Sequence, residues 1–199
     1  MSIDIKLGSP DRFGFEWEKY CKIHPIYEEQ FLRWTKNNIS KNQWKGKSIL
    51  DVGCGNGRNS FWPISYGAKH ATLIDVDDRT LSCARENLYE YKNVEIINRS
   101  AYEIGCTSEF DIAFSIGVIH HLEHPLLAIE NMKKSVKKGG KVLIWVYGYE
   151  NNEWIVRYFN PFRDKIFSKL PVKVVHFLSN FPAAIVWSVA HMGLGKTEY

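Results

Sequence analysis

Short apolar runs alternate with helical spacing through the middle of the chain. The apolar runs predict five strands, at Lys47–Val52, His70–Ile74, Val94–Asn98, Phe110–Ser115 and Lys141–Tyr147. The segments between them predict helices over Asn59–Tyr66, Asp78–Tyr91 and Pro125–Val136. Strands separated by helices require parallel crossovers. The pattern therefore predicts an α/β fold with a doubly wound, Rossmann-like open sheet that is mainly parallel.

Proline, aspartate and glycine residues indicate where the predicted helices begin and end. Pro63 indicates that the first of the three helices is short or begins near that residue. Asp77 or Asp78 is a suitable N-cap for the second helix. The run Lys137–Gly140, two lysines and two glycines, is expected to end the third helix.

The two flanks differ in character from this middle region. The first 45 residues are polar and aromatic, and Ile26–Asn37 has the spacing of one amphipathic helix. The last 50 residues lack glycine-terminated strands and predict short helices that cover the sheet. We therefore divide the chain into a helical lid segment (1–45), a core (46–149) and a helical cap (150–199).

Composition narrows the range of functions. A chain of 199 residues suits one decorated domain, which needs neither disulfide nor metal to fold. A net charge of +4 is too mild to favour a nucleic-acid partner. The four cysteines form no C-x-x-C pair, and the first residues do not resemble a secretory signal. We expect a reduced, cytoplasmic protein whose thiols serve as small buried hydrophobes.

The glycine-rich turn after the first strand carries the strongest chemical signal. Gly53, Gly55 and Gly57 allow close approach of a ligand to the backbone, and the following helix offers free N–H groups. The spacing G-x-G-x-G differs from the dinucleotide fingerprint G-x-G-x-x-G. Asp51 precedes the turn and would repel a pyrophosphate, whereas the ammonium of an amino acid would donate hydrogen bonds to its carboxylate. Asp75, at the end of the second strand, can accept hydrogen bonds from both ribose hydroxyls.

These residues resemble the class I S-adenosylmethionine-dependent methyltransferases, in particular bacterial members of unassigned substrate. The resemblance covers about residues 46 to 148. It is carried by five segments, SILDVGCGNGRNS, TLIDVDD, EIINRSAYEI, FDIAFSIGVIHHLEHP and KKGGKVLIWVYG. It implies a methyltransferase with S-adenosylmethionine as cofactor.

The resemblance also implies roles for individual residues. Gly53, Gly55 and Asn56 would contact the methionine end through their backbone, with Asp51 orienting the loop or reaching the ammonium. Asp75 would bind the ribose. The remaining cofactor-binding positions would be Arg58 at the carboxylate, Val76 at the adenine, Ser100 and Ala101 after the third strand, and Ile116 near the sulfonium. Ser100 stands where the family usually has an aspartate that binds the adenine amino group.

Catalytic groups are expected beyond the fourth and fifth strands. His120 and His121 follow the fourth strand, Tyr147 ends the fifth, and Tyr149 and Glu150 come after it. A general base is needed only if the acceptor is bound in its protonated form. His120 and His124 are four residues apart, but Pro125 interrupts any shared helix, and no metal site is predicted.

The tail leaves two interpretations open. Val174–Leu194 is apolar, but His176, Asn180 and Pro182 interrupt it, so a cap over the substrate pocket is favoured over membrane contact. The family's sheet normally has two further strands, one of them antiparallel, and none is recognisable after Tyr147. The chain is therefore either a part of a longer protein or has a rebuilt tail.

Three functions follow from these observations. The first is methyl transfer to an oxygen or nitrogen of a small molecule, with the aromatic segment Phe13–Trp17 as a lid. The second is a non-catalytic S-adenosylmethionine-binding partner, which Ser100 and the missing strands favour. The third is an NAD-dependent oxidoreductase, which the glycine spacing disfavours.

Overall fold

The computed structural model describes residues 10–148 and 165–191, together with residues 153, 157, 158 and 161. The chain forms two compact units, residues 1–147 and residues 148–199. The first unit contains the predicted sheet. The second contains one long helix, which is described separately below.

The elements of the first unit follow the predicted order. Its strands are β1 Ser48–Val52, β2 His70–Asp75, β3 Val94–Asn98, β4 Phe110–Ile116 and β5 Val136–Trp145. Its helices are α1 Pro10–Lys19, α2 Tyr27–Thr35, α3 Arg58–Ser65, α4 Asp78–Asn87 and α5 Pro125–Ser135. Two 3₁₀ turns, Lys41–Trp44 and Ile119–His121, complete the unit.

The five strands form one open sheet in the order β3-β2-β1-β4-β5, and every pairing is parallel. The chain moves outward from β1 through β2 to β3, then returns to the other side of β1 for β4 and β5. This reversal between β1 and β4 is the topological switch point at which such sheets bind ligands. The doubly wound, parallel fold predicted from the sequence is confirmed.

Alternate residues of β1 face opposite sides of the sheet and divide the core into two layers. Ile49 belongs to the layer that also contains Phe31 of α2 and Leu81 of α4. Leu50 belongs to the layer that contains Met132 of α5. Both β1 residues are at most 1% exposed. Burial on both faces explains why the strands are continuous apolar runs in the sequence.

One predicted helix end is confirmed and another is wrong. The helix α3 covers eight residues, Arg58–Ser65, so it is short as Pro63 indicated, although it begins five residues before that proline. The run Lys137–Gly140 does not end α5. The helix ends at Ser135, because Val136 has extended backbone (φ −87°, ψ 148°) and pairs with Phe110. The lysines and glycines lie inside β5, where the register with β4 shifts.

The N-cap of α4 is Asp77, the first of the two residues predicted. Its Oδ1 accepts a hydrogen bond from the Arg79 backbone N–H at 2.9 Å. The helix ends at Asn87, four residues earlier than predicted.

The described cysteines do not all remain thiols. Cys21, after α1, forms a disulfide with Cys83 of α4 across 62 residues of sequence. Cys54 and Cys106 are free, the former buried and the latter half-buried. The prediction of four reduced thiols is therefore wrong for the first pair, because chain packing brings their Cα atoms to 5.4 Å.

The second unit differs from the predicted set of short helices. After a 3₁₀ turn at Phe167–Lys169, a single helix α6 covers Val172–His191 and includes Pro182. Among the described residues it is the one helix whose length and composition would allow it to cross a membrane. Tyr149 and Glu150, which come after the predicted end of the fifth strand at Tyr147, lie outside the described residues.

Candidate functional site

The glycine-rich turn joins β1 to α3 at the carboxyl edge of the sheet. Gly53 has φ +77°, and a Cβ atom there would lie 2.6 Å from a methyl group of Val118. Only glycine meets both conditions without strain. The Gly53 N–H donates to the Ile74 carbonyl at 2.8 Å, which ties the turn to the end of β2.

Asp75 ends β2 directly beside this turn. Its Oδ2 accepts a hydrogen bond from the Gly55 N–H at 2.9 Å, and its Oδ1 accepts one from the Asp77 N–H at 3.1 Å. Burial raises the pKa of this carboxyl, while these backbone bonds oppose the rise. The next residue, Val76, is 44% exposed and extends the edge with an apolar surface. The two residues predicted for the nucleoside thus adjoin the glycine turn.

Asp51 lies beneath the turn and is 1% exposed. Ser60 of α3 donates its hydroxyl to Asp51 Oδ2 at 2.6 Å. Burial raises the pKa of this carboxyl to about 7. Of the two predicted roles, the geometry favours orientation of the loop, because the carboxyl links β1 to α3 within the protein.

Asn56 connects the turn to the lid segment. Its side-chain amide donates to the carbonyl oxygens of Tyr20 (3.2 Å) and Cys21 (3.1 Å). Asn87 of α4 donates in turn to the carbonyl oxygens of Cys21 (2.8 Å) and Asn56 (2.9 Å). The backbone carbonyl of Asn56 is therefore engaged within the protein. These bonds place the end of α1 against the glycine turn.

Trp17 of α1 lies directly over the glycine turn. Its indole ring would be 3.6 Å from a Cβ atom at Gly55. The Arg58 guanidinium lies 4.6 Å from the Trp17 ring centroid and 5.2 Å from that of Tyr27. Burial lowers the pKa of Arg58, but an arginine guanidinium keeps its charge in proteins. A positive charge held between two aromatic rings beside the turn can attract a carboxylate.

The loop after β3 places Ser100 and Ala101 at the same edge. The Ser100 hydroxyl oxygen accepts a hydrogen bond from the Tyr102 N–H at 3.2 Å. Ala101 is half-buried against the second core layer. The serine hydroxyl is therefore used in the turn of its own loop, although its O–H remains able to donate.

Ile116 ends β4 at the switch point and is 7% exposed. The preceding residue, Ser115, is fully buried and donates its hydroxyl to the Val52 carbonyl at 2.7 Å. This bond joins the ends of β1 and β4. It holds together the two strands between which the ligand crevice opens.

A group of rings lies beyond β4 and β5. The His120 ring is 3.9 Å from His121 and 5.4 Å from Tyr147, measured between centroids. Tyr147 also contacts Trp145 at 4.7 Å, and Phe13 of α1 lies 4.9 Å from His121. Partial burial lowers the pKa of His120, so its imidazole is neutral at pH 7. The three predicted catalytic candidates therefore form one cluster with the lid.

His120 and His124 are not arranged as a pair of metal ligands on one helix. His120 belongs to the 3₁₀ turn, whereas His124 is the N-cap of α5. Within residues 10–148 and the described parts of the tail, no group of three metal-ligating side chains is present.

Sequence reasoning missed several residues that build the site. Ser60, Asn87 and Ser115 hold it together through hydrogen bonds to residues on other elements. Polar side chains at buried positions of a strand or helix were the only signal. Trp17 was assigned to a lid, but its place over Gly55 follows from the packing of α1 on α4.

A comparison with protein families finds one match. The family model described as a methyltransferase domain matches residues 50–144, which run from β1 to the end of β5.

Two similar proteins are named as a methyltransferase and a carboxymethyltransferase. The ubiquinone biosynthesis O-methyltransferase of Aromatoleum aromaticum is 31% identical over 131 residues, covering 63% of this chain and 54% of that protein. The tRNA U34 carboxymethyltransferase of Glaesserella parasuis is 29% identical over 161 residues, covering 78% of this chain and 48% of that protein. The chain thus spans about half the length of these relatives.

A solved structure has the same fold. The crystal structure of a proposed methyltransferase from Bacillus halodurans C-125 superposes with a TM-score of 0.57 at 21% identity. The match covers 70% of this chain and 61% of that one.

Proposed function

This chain belongs to the class I S-adenosylmethionine-dependent methyltransferases, and on that premise we propose that it transfers a methyl group to an oxygen or nitrogen of a small molecule. The cofactor of this family is S-adenosylmethionine. The observation that carries the proposal is the hydrogen bond from the Gly55 N–H to Asp75. It joins the glycine turn and the strand-end acid into one cradle.

The residues present fit the cofactor. Gly55 has φ +54°, and a Cβ there would lie 3.6 Å from the Trp17 indole, so the glycine lets the ring pack closely over the turn and shield a bound ligand from water. Asp75 would accept hydrogen bonds from the ribose hydroxyls, and Val76 would contact the adenine. Arg58 would bind the carboxylate of the methionine end. The other predicted positions, with backbone or apolar contacts, are Gly53, Asn56, Ser100, Ala101 and Ile116, supported from below by Asp51.

Bound S-adenosylmethionine supplies an activated methyl group on a sulfonium, and the chain's own residues supply position and proton transfer. Methyl transfer needs the acceptor atom in line with the breaking bond, so orientation accounts for much of the catalysis. His120 is a neutral imidazole at pH 7 and can accept the proton of an acceptor hydroxyl or ammonium. Tyr147, 5.4 Å away between ring centroids, would orient the acceptor.

The ring cluster supports a small, flat or apolar acceptor. Phe13, His120, His121, Trp145 and Tyr147 present aromatic surfaces at the carboxyl edge. Such surfaces bury planar molecules and fix their orientation by a few polar groups.

A nucleic-acid acceptor is the competing interpretation, and the comparisons give it weight. Several similar proteins are named as tRNA-modifying enzymes, so the expected absence of a nucleic-acid partner is not supported. A recess lined by several lysines lies at the amino edge of the sheet, opposite the glycine turn. Its residues include Lys45, Lys47, Lys137, Lys138 and Lys141. Because this charge lies away from the proposed methyl donor, a small molecule remains the favoured acceptor.

Two measurements test the proposal. Calorimetry with S-adenosylhomocysteine and with NAD distinguishes the cofactors, and we expect binding of the first only. Turnover of labelled S-adenosylmethionine is then measured against a panel of phenols, amines and unmodified tRNA. Methylation of a phenol or amine supports the proposal, whereas labelling of tRNA alone overturns the small-molecule acceptor.

A non-catalytic cofactor-binding partner is the second candidate. Ser100 replaces the aspartate that the family usually has at this position, and its hydroxyl oxygen already accepts a bond from Tyr102. A protein that binds S-adenosylhomocysteine tightly and methylates no member of the panel would fit this second function.

A further inference from the structure

The helix α6 carries large apolar side chains that are exposed to solvent. Phe177, Phe181 and Ile185 have 63%, 59% and 65% of their surface exposed. Val186 and Trp187 are exposed to a similar extent. Several large apolar side chains exposed side by side usually mark a binding site for another protein or for a membrane.

The large apolar residues concentrate on one side of the helix. Phe177, Phe181 and Ile185 follow one another at intervals of four residues, which places them on a common face. The first two rings contact each other edge to face at 5.7 Å between centroids. Lys173 precedes Phe177 by four residues and begins the same stripe, whereas His176, Asn180 and Trp187 lie on a different face.

The charge distribution indicates the chemistry of the partner. Residues 165–191 contain three lysines and no aspartate or glutamate. Lys165, Lys169 and Lys173 all lie at the amino end of this stretch, and all three are exposed. An apolar helix face next to a cluster of lysines is complementary to a partner with an apolar interior and a negatively charged surface. A bilayer with anionic headgroups has both properties.

The length of the helix is also consistent with this partner. Twenty residues give about 30 Å of helix, which is long enough to bury several aromatic rings in the headgroup region. Trp187 lies near the carboxyl end, and tryptophan side chains favour the boundary between lipid and water.

We propose that α6 docks on an anionic lipid bilayer, with the face of Phe177, Phe181 and Ile185 inserted and the three lysines against the headgroups. The helix lies along the membrane surface, since His176 and Asn180 lie on its other face and Lys173 begins the inserted stripe at the headgroups. This inference is independent of the proposed methyl transfer, because it uses residues of the second unit only.

Vesicle sedimentation of the full chain tests the proposal. One set of vesicles contains phosphatidylcholine alone, and a second contains about one-third phosphatidylglycerol, a content at which basic segments bind. We expect binding to the anionic vesicles and its reduction at high salt. Absence of binding to the anionic vesicles, or equal binding to both sets, would overturn the proposal.

Two variants examine the apolar face and the charge separately. The triple variant Phe177→Ser, Phe181→Ser and Ile185→Ser should bind the anionic vesicles at least about tenfold more weakly, because the inserted surface is lost. The triple variant Lys165→Gln, Lys169→Gln and Lys173→Gln should bind about tenfold more weakly and lose most of the salt dependence. Unchanged binding of either variant contradicts the proposal.

Matched controls lie in the first unit. Tyr89→Ser removes an aromatic side chain that is 71% exposed. The substitutions Lys133→Gln, Lys134→Gln and Lys138→Gln remove three exposed lysines. Both controls should bind vesicles like the original chain, and circular dichroism with thermal unfolding verifies that all variants fold.

The alternative partner for this apolar face is a second copy of the chain, and sedimentation velocity without lipid tests for such a dimer. A dimer that the serine variant disperses, together with failure to bind vesicles, would assign the face to a second copy of the chain.

Discussion

The Gly55 N–H donates a hydrogen bond to Asp75 Oδ2 at 2.9 Å across 20 residues of sequence. This bond makes the glycine turn and the end of β2 a single structural unit. A change at Asp75 therefore affects both the proposed ribose contact and the position of the turn.

The substitution Asp75→Ala should weaken binding of S-adenosylhomocysteine by about 1–3 kcal/mol, because the charged acceptor of the ribose hydroxyls is lost. Isothermal calorimetry measures the change. Asp78→Ala is the control, since Asp78 is exposed at the start of α4 and bonds Asn98. Equal affinities of the original chain and the Asp75 variant would remove the ribose assignment.

Replacement of Asp51 by asparagine should change how stability depends on pH. Burial raises the pKa of this carboxyl from 3.8 to about 7, so the folded protein keeps a proton that the unfolded chain releases. Its contribution to stability is complete below pH 4 and is lost as the pH rises through 7. Each pKa unit corresponds to about 1.4 kcal/mol.

Chemical unfolding of both proteins between pH 4 and 8 measures this effect. The stability of the original chain relative to Asp51→Asn should decline across the interval. Asp77→Asn is a control that should stay nearly constant over this interval, because the bond from Arg79 lowers the pKa of Asp77 and its contribution is lost only as the pH falls below about 4. A constant difference between the Asp51 variant and the original chain contradicts the prediction.

The lid segment should loosen when Asn87 is replaced by alanine. Its amide donates to the carbonyls of Cys21 and Asn56; the Asn56 carbonyl would lose this donor, and the Cys21 carbonyl would keep only the bond from the Asn56 side chain. We expect a loss of about 1–3 kcal/mol in stability and faster proteolysis after α1. Asn93→Ala is a matched control, since Asn93 also bridges two backbone carbonyls, those of Ala68 and Lys69. If the two variants are cleaved alike within the lid segment, Asn87 does not hold it.

The disulfide between Cys21 and Cys83 gives a second prediction about the lid segment. Alkylation of the denatured, unreduced protein should modify two cysteines, Cys54 and Cys106. Cys21→Ser should lower the thermal midpoint, because the bond closes a loop of 62 residues and such bonds stabilise by about 2–4 kcal/mol. Mass spectrometry counts the labels, and four modified cysteines would show that the pair is reduced.

His120→Gln should lower kcat for the small-molecule acceptor by about 10²–10⁴ if the imidazole accepts a proton during transfer. Because burial lowers its pKa, the original enzyme should keep activity to below pH 6.5 and lose it as the imidazole becomes protonated. The acidic limb of the pH profile should disappear in the variant. His121→Gln serves as the control, and an unchanged kcat in the His120 variant assigns the proton transfer elsewhere.

The fold was largely predictable because its signals are local. The central strands β1, β2 and β4 are buried and require short apolar runs, and each of the five predicted runs overlaps an observed strand. The misplaced end of α5 shows the limit of this reasoning. Lysines and glycines after a helix usually end it, but here pairing of Val136 with Phe110 draws the same residues into β5.

The site was predictable at the residues that contact the backbone turn, and less so at the residues around it. Asp51 and Asp75 were both predicted as site residues, but only the packing of α3 shows that Asp51 accepts a hydrogen bond from Ser60. The disulfide partner of Cys21 and the position of Trp17 depend on how α1 packs against α4. The predicted cofactor contacts themselves remain predictions.

The sequence by itself determined the strand and helix order, the glycine turn and the acid at the end of β2, since each depends on neighbours along the chain. The tertiary structure decided which side chains meet across the sheet edge and which cysteines pair. These outcomes depend on the packing of residues far apart in sequence, where no local periodicity specifies the partner.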